Sequence, residues 1–292
     1  MAYKTAKRRL GYEIAIRPMA ESDLDQLHQL SIGVGWPHRP EDWRLVIGLG
    51  HGIVACDAIG RVLGSAMWWP FGERFATVGM VITSPRLQAQ GAGRELMEMI
   101  FAQTGSRDLR LTSTKAGYRL YRSLGFEPIG RIFQHQGKAL PPHGPVAAAP
   151  GLRQVVPGDL DALAALDASA YGADRRQAIA AALLLASVGT LVERDGAVVG
   201  FALCRPFGRG HVVGPIVAED DAMAIALLTP HVEAHQGAFL RVDTAQEQGA
   251  FGAFLESCGL TIFDTVTPMI RGRAHGPSGC ARIYGLVNQA LG

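Results

Sequence analysis

The pattern of apolar and polar positions predicts a mixed order of strands and helices in the first half of the chain. Alternation or short apolar runs indicate strands, and a spacing of three to four residues indicates helices. We expect strands near residues 13–18, 52–58, 61–69, 75–84 and 108–113, with a closing pair up to about residue 135. We expect helices from residue 22 (capped by Ser22), from about residue 41, and over residues 91–104 and 116–124. Such elements form an α/β or α+β sheet with helices on both faces.

This pattern repeats along the chain with a long period. Segment 17–30, Arg-x5-Asp-Leu-Asp-x-Leu-x2-Leu, recurs at 153–166, and segment 60–72, Gly-x-Val-x-Gly-x-Ala-x3-Pro-Phe-Gly, recurs at 196–208, both 136 residues further on. A period of this length predicts two whole domains rather than a solenoid. Residues between the copies are rich in proline and glycine, as in an exposed linker. We expect domains at 1–136 and 152–272, a linker at 137–151, and a tail at 273–292 whose apolar pattern indicates a terminal helix.

Composition and charge narrow the range of partners. The 292 residues are 48% hydrophobic and 18% charged, which suits well-filled cores. A net charge of +2 gives no strong field, so we expect neither a nucleic-acid nor a membrane partner. The longest apolar run, residues 178–192, is shorter than the ~20 residues of a membrane helix. The scattered Cys56, Cys204, Cys258 and Cys280 favour free thiols in a reducing cytoplasm and argue against a metal site.

A glycine-rich loop after the strand at residues 78–84 is the first candidate site. It follows Pro85, reads Gln88-Ala89-Gln90-Gly91-Ala92-Gly93-Arg94, and opens an amphipathic helix. Glycines there let backbone N–H groups approach a phosphate, and the helix dipole favours its negative charge. The loop lacks the Lys-Ser/Thr of nucleoside-triphosphate loops and the third glycine of dinucleotide loops. It therefore predicts a phosphate-bearing ligand without identifying it.

Two motifs together resemble the GNAT superfamily of acyl-CoA N-acyltransferases. Residues 88–93 match the family pattern Gln/Arg-x-x-Gly-x-Gly/Ala after a strand and a proline, and residues 121–126 match Tyr-x3-Gly-Phe. The resemblance covers residues 13–135 directly and the remainder through the repeat. It implies two tandem GNAT-like domains, each a mixed, mostly antiparallel sheet flanked by helices.

The resemblance also implies roles for these residues. The pyrophosphate of acetyl-CoA would lie on the amides of residues 88–94, and its pantetheine arm along Val81, Ile82 and Thr83, with the thioester carbonyl polarised near Val81. A neutral amine would attack that carbonyl, and Tyr121 would donate a proton to the departing sulfur. We expect the acceptor to be a primary amine of a small molecule bound between the domains. Acetylation of a protein lysine or N-terminus, and a non-catalytic acyl-CoA sensor, are the alternatives.

The second copy is expected to be degenerate. Residues 214–218 align with residues 79–83, but the stretch that follows is four residues shorter. Glu219-Asp220-Asp221 stand where the phosphate loop should be, and carboxylates there would repel a pyrophosphate. Leu255 takes the position of Tyr121. We therefore expect one acetyl-CoA site per chain.

The acceptor side is less well defined. Candidates for contact with the acceptor are Trp36, Trp69, Ser113 and Thr114. Trp68 and Trp69 must face opposite sides of a sheet, so that one of them could line the pocket. Core packing of both side chains is the alternative. Candidate general bases, none of them preferred over a water relay, are His38, Glu41, Asp42, Asp57 and Glu73. Polar groups of the second copy that could reach the cleft, or could form ordinary surface ion pairs, are Tyr171, Arg175, Arg176, Arg205 and Asp243.

Overall fold

Each half of the chain has the same order of strands and helices in the computed structural model, which describes residues 7–9, 12–85, 87–88, 91–142, 146 and 149–292. The strands are β1 (Lys7–Arg9), β2 (Tyr12–Pro18), β3 (His51–Cys56), β4 (Val62–Phe71), β5 (Phe75–Thr83), β6 (Asp108–Ser113), β7 (Glu127–Pro128), β8 (Ile132–Lys138), β9 (Leu152–Gln154), β10 (Val188–Arg194), β11 (Ala197–Phe207), β12 (Gly210–Ala218), β13 (Phe239–Thr244), β14 (Thr261–Arg271) and β15 (Arg282–Gly285). The helices are α1 (Leu24–Gly33), α2 (Pro40–Leu49), α3 (Ala92–Thr104), α4 (Tyr118–Ser123), α5 (Leu160–Tyr171), α6 (Arg176–Leu184), α7 (Asp221–Ala234) and α8 (Ala250–Ser257). The mixed, mostly antiparallel sheet with flanking helices confirms the predicted fold class.

The first repeated motif organises the turn that precedes α1. Asp23 accepts the Ala20 N–H at 2.9 Å and the Arg17 guanidinium at 2.6 and 2.7 Å. Asp159 makes the same contacts before α5 in the second half. The expectation that Ser22 caps the helix is therefore wrong, because the Asp23 carboxylate, and not the Ser22 hydroxyl, accepts the Ala20 N–H. The repeated Arg-x5-Asp pattern has a structural role.

An exchange of strands joins the halves into one 15-stranded sheet. Strand β8, the last strand of the first half, pairs antiparallel with both β13 and β14 of the second half. Strand β14 also pairs antiparallel with β6 of the first half. Strand β8 runs on to Lys138, inside the segment expected to be linker. These backbone ladders fix the orientation of the two halves, while the expected domain limits stay a prediction.

A hydrophobic core lies between the halves. Trp43, Trp69 and Phe75 of the first half belong to the same buried cluster as Tyr171 and Leu291 of the second. Fully burying a large apolar side chain contributes roughly 1.5–3 kcal/mol. The contact between the halves is therefore an extensive apolar interface, and it holds the cleft beside it in a defined shape.

The last residues of the chain form a strand and a turn. Strand β15 pairs antiparallel with β12. Residues 286–292 then turn back, and the buried Arg175 donates to the Leu291 carbonyl at 3.1 Å. The expected terminal helix is wrong, because the apolar side chains of this segment serve a strand and a buried turn instead.

Three further properties bear on possible ligands. All four cysteines are free thiols. Among the described residues, none of the helices has both the length and the apolar character needed to cross a bilayer. Within the same residues, no three His, Cys, Asp or Glu side chains are grouped so that they could hold a metal ion.

Candidate active site

Strands β5 and β6 run parallel and then separate, which opens the sheet near its centre. Their pairing ends at Val78, and the backbone of residues 79–83 has no strand partner on this side among the described residues. The separation coincides with an irregularity in β5, where Met80 has a φ of 50°. Ser65 Oγ donates to the Met80 carbonyl at 2.7 Å and holds this conformation. The result is a stretch of backbone open to an extended ligand, and the expected contacts of Val81, Ile82 and Thr83 stay a prediction.

The N-terminus of α3 lies where β5 ends. Gly91 is the N-cap, with a φ of 75° that glycine adopts without a Cβ penalty. The N–H groups of residues 92–94, in the first turn, have no acceptor within the helix. Together with the positive end of the helix dipole, they form a site for an anion.

The loop is tied to the elements on both sides of it. The Gln88 side chain donates to the Thr83 carbonyl at 3.2 Å. Arg94 Nη2 donates to Ser123 Oγ of α4 at 2.6 Å. The segment Ala89-Gln90 lies outside the described residues, so its expected contacts stay a prediction.

Tyr121, on α4, faces the same opening. Helices α3 and α4 lie close together, since a Cβ on Gly93 would stand 3.1 Å from Leu120 Cδ2. The Tyr121 ring is 8% exposed and lies edge-on to Phe126, with ring centres 6.0 Å apart. Burial raises the pKa of Tyr121 well above its usual value of 10. The hydroxyl is therefore a neutral hydrogen-bond donor at physiological pH.

A cavity of about 1010 Å³ connects the loop with the space between the halves. Binding sites for small molecules measure about 300–1,000 Å³. The wall includes residues 81–83, the loop residues Gln88 and 91–94, and Tyr121. The second half contributes residues of β11, β13 and β14 and of the C-terminal tail. The glycine-rich loop, Tyr121 and the space between the halves thus belong to one cavity.

Two of the four expected acceptor contacts lie on this wall. Trp36 and Thr114 line the cavity, whereas Trp69 and Ser113 do not. Trp69 is completely buried and donates from Nε1 to the Val46 carbonyl at 2.8 Å. Ser113 is 1% exposed and its Oγ donates to the Thr114 carbonyl at 2.8 Å. For these two residues the expectation is corrected, because both side chains are engaged away from the cavity.

Of the candidate general bases, His38 and Asp42 line the cavity and the other three do not. Although burial opposes it, hydrogen bonds from Arg39 and from the Gly208 N–H, the latter at 3.0 Å, lower the pKa of Asp42 below its usual value. Burial lowers the pKa of His38 to about 4. Neither group takes up a proton readily at neutral pH, and no base is assigned.

The five polar candidates of the second half have different surroundings. Arg205 lines the cavity and the other four do not. Arg175 forms an ion pair with Asp167 at 2.6 Å. Three other contacts keep the rest away from the cleft: Arg176 pairs with Asp161, Asp243 pairs with Arg241, and Tyr171 belongs to the core between the halves.

Sequence reasoning missed two parts of the wall. Gln134 and Gln136 of β8 line the cavity, and their alternate spacing on a strand was a usable signal. Residues 288–290 of the tail also line it. No local pattern marks these three residues, because their position depends on pairing between β15 and the distant β12.

In the second half, β15 occupies the groove that corresponds to the opening beside β5. Strand β12 pairs with the parallel β13 at only two positions, His211 and Val212. Beyond them β12 pairs with β15 instead, from Ile216 to Ala218. The backbone that corresponds to residues 79–83 of the first half is therefore already hydrogen-bonded by the chain itself.

Acidic side chains occupy the start of α7 in this half. Asp220 caps the helix by accepting the Met223 N–H at 2.8 Å. Asp221 accepts the Phe251 N–H at 3.0 Å and the Tyr284 hydroxyl at 2.9 Å. The N-terminus of α7, where an anion would bind, thus carries the protein's own carboxylates, and one of them accepts a first-turn N–H.

Comparisons with known proteins agree with this architecture. A family model described as an acetyltransferase (GNAT) domain matches residues 48–128, and a second model with the same description matches residues 163–285. An uncharacterized N-acetyltransferase of Bacillus subtilis (strain 168), YitH, is 26% identical over 276 residues, covering 93% of this chain and 96% of the relative.

Two solved structures are similar in fold. One, from Pyrococcus horikoshii, is provisionally assigned as an acetyltransferase; it has a TM-score of 0.80 and 18% identity, and covers 98% of each chain. The other is a tandem GNAT protein from the clavulanic acid biosynthesis pathway, with a TM-score of 0.60 and 16% identity over 90% of this chain and 100% of the other. At these identities the likeness concerns the fold alone.

Proposed function

This chain belongs to the GNAT acetyltransferases and carries two of their domains, and we propose that it transfers the acetyl group of acetyl-CoA to a primary amine of a small molecule. The acceptor binds between the two halves. The observation that carries the proposal is the continuity of one cavity from the N-terminus of α3, past Tyr121, to walls supplied by the second half.

The first half binds acetyl-CoA. The free N–H groups of residues 92–94, reached closely because Gly91 and Gly93 have no side chain, donate hydrogen bonds to the pyrophosphate. The unpaired edge of β5 offers its backbone to the pantetheine amides, and the Val81 N–H polarises the thioester carbonyl. The separation of β5 from β6 beyond Val78 supports this arrangement.

The reaction exchanges a C–S bond for a C–N bond. The neutral amine attacks the thioester carbonyl carbon, the tetrahedral intermediate collapses, and the sulfur leaves with the bonding electron pair. Tyr121 donates a proton to the sulfur, and its raised pKa keeps that proton in place before the reaction. The proton lost by the amine passes to water, since the pKa values of His38 and Asp42 are both lowered, and water returns a proton to the Tyr121 phenolate.

The acceptor end of the cavity supports a small substrate over a folded protein. Its wall includes Arg205 and Asn288, which are 1% and 8% exposed. Side chains this deeply enclosed are suited to contact with a small molecule that enters the cavity completely.

The second half has a supporting role and binds no acetyl-CoA. Strand β15 occupies the groove of β12, and Asp220 caps the start of α7. Leu255, at the position of Tyr121, is completely buried and offers no proton. This half supplies one wall of the acceptor site and covers the apolar surface of the first.

The test is a continuous assay of CoA thiol release with a panel of small amines, run beside a panel of lysine-bearing and N-terminal peptides. We expect turnover with small amines and formation of the N-acetyl product by mass spectrometry. Turnover with peptides alone would replace this proposal by a protein acetyltransferase. Tight acetyl-CoA binding without turnover of any acceptor would replace it by a sensor.

A further inference from the structure

Arg205 is a buried arginine that lacks a carboxylate partner. Three arginines are buried among the described residues, and two of them pair with carboxylates: Arg175 with Asp167 at 2.6 Å and Arg241 with Asp243 at 2.7 Å. Arg205 is 1% exposed and forms no ion pair with a described residue. A buried charge without a counter-ion is costly, and the cost falls when a ligand supplies the counter-ion.

The hydrogen bonds of Arg205 leave one side of its guanidinium free. Nη2 donates to the Val287 carbonyl at 2.9 Å, and Nε is enclosed without a partner. Nη1 forms no hydrogen bond with a described residue and, unlike Nε, is not sealed off by protein. Because Arg205 lines the cavity, this nitrogen is the one a ligand can reach.

The charges around Arg205 favour an anion. Its guanidinium and that of Arg241 lie at equal distances of 5.3 Å from the Phe207 ring centre. Asp243 pairs with Arg241, whereas Arg209, exposed in the turn after β11, adds a further positive charge to the same wall. The nearby Asp42, whose charge raises the pKa of Arg205, forms its hydrogen bonds with Arg39 and the Gly208 N–H and none with Arg205. Burial lowers the pKa of Arg205 to about 10, so it keeps its charge at pH 7.

We propose that the acceptor is an anionic amine, whose carboxylate or phosphate group binds Arg205 while its amino group reaches the thioester beside Tyr121. This inference rests on the proposed function and specifies its substrate class. Carboxylate and phosphate groups both have oxygens that can accept hydrogen bonds from a guanidinium, and either group would provide the counter-ion that Arg205 lacks. The rival explanation is that Arg205 only tethers the tail through Val287.

The test compares matched pairs of acceptors. Amino acids are set against their amides, and aminoalkyl phosphates against the corresponding amino alcohols, with kcat/KM as the readout. We expect the wild-type protein to favour the anionic member of at least one pair by roughly 10- to 150-fold, the range of a hydrogen bond to a charged group. The pair that shows the preference distinguishes carboxylate from phosphate.

Variants separate recognition from tethering. Arg205→Met should abolish the preference by lowering kcat/KM for the anionic amine, with little change for its neutral partner and none in acetyl-CoA affinity. Arg205→Lys should keep part of the preference. The control Arg194→Gln removes an exposed arginine paired with Glu219 outside the cavity and should change neither value. If Arg205→Met proves unstable, Arg209→Gln should weaken the preference without unfolding the chain.

The outcomes keep the two proposals apart. Equal rates for anionic and neutral amines in the wild-type protein, or an equal loss for both in Arg205→Met, would overturn the anionic acceptor and leave the acetyltransferase proposal intact. Amine binding to the CoA-loaded protein, measured by calorimetry, gives an answer that needs no turnover. Preferential binding of the anionic member supports the Arg205 site even if the assay detects no product.

Discussion

Gly91 offers a direct test of the acetyl-CoA site, because its conformation can be disturbed without adding charge or much volume. Its φ of 75° lies in the left-handed region. A residue with a Cβ pays roughly 1–2 kcal/mol there. In Gly91→Ala we expect the loop to move partly out of this conformation, so that part of the strain remains and its amides turn away from the pyrophosphate.

The expected loss of affinity follows from one hydrogen bond. A hydrogen bond to a charged group contributes about 1.5–3 kcal/mol, so misdirecting one amide should raise the dissociation constant of acetyl-CoA roughly 10- to 150-fold. The matched control is Gly72→Ala. Gly72 has a φ of 71°, has open space around its Cβ position, and follows β4 at the far end of the β4–β5 hairpin.

Calorimetric titration and urea unfolding together separate the two effects. Both variants should lose about 1–2 kcal/mol in free energy of unfolding, whereas only Gly91→Ala should lose affinity. Unchanged affinity in Gly91→Ala, or the same loss in Gly72→Ala, would refute the assignment of the pyrophosphate to this helix N-terminus.

Two further predictions concern the proton donor and the acid stability of the fold. Tyr121→Phe should lower kcat roughly 10²- to 10⁴-fold without changing the acetyl-CoA dissociation constant; unchanged kcat in a steady-state assay would remove Tyr121 from the mechanism. His231 is completely buried, and burial lowers its pKa to about 3. Between about pH 6.5 and 3 the unfolded chain therefore binds more protons than the folded chain. As the pH is lowered through this range, this group decreases the free energy of unfolding by about 1.4 kcal/mol per pH unit. Urea unfolding between pH 7 and 5 should show a shallower fall in His231→Gln, and an identical slope in both proteins would contradict this reading.

Local patterns predicted the parts of this protein that depend on neighbours in the sequence. The strand–proline–glycine order around Gly91 placed the anion site, and the Tyr-x3-Gly-Phe motif placed Tyr121 beside it. Both elements meet in the structure because β5, α3 and α4 follow one another along the chain. The cofactor contacts themselves stay a prediction.

Strand alternation held information that the sequence analysis did not use. Ser113 and Thr114 are adjacent and leave β6 on opposite sides, so they could not both face the acceptor. Thr112 and Thr114 share a side, and both line the cavity. For Trp68 and Trp69, alternation separated the faces, but only the fold shows that Trp69 faces the core between the halves.

Contacts between distant strands could not be read from the sequence. The exchange of β8 and β14, and the insertion of β15 beside β12, depend on backbone pairing across many residues, which leaves no local signature. The same holds for Arg205, whose lack of a direct ion pair with any described residue is a property of its surroundings. These long-range pairings build the wall of the cavity that lies between the halves.

We propose that one half of this chain binds acetyl-CoA while the other half supports it. The number of acetyl-CoA sites per chain distinguishes this arrangement from one with two working halves. Calorimetric titration of acetyl-CoA into the purified protein, at an independently determined concentration, measures this number. We predict one site per chain, because β15 and Asp220 already occupy the corresponding positions in the second half. Two sites per chain would contradict the supporting role of the second half, and the absence of binding would contradict the acetyl-CoA site in the first.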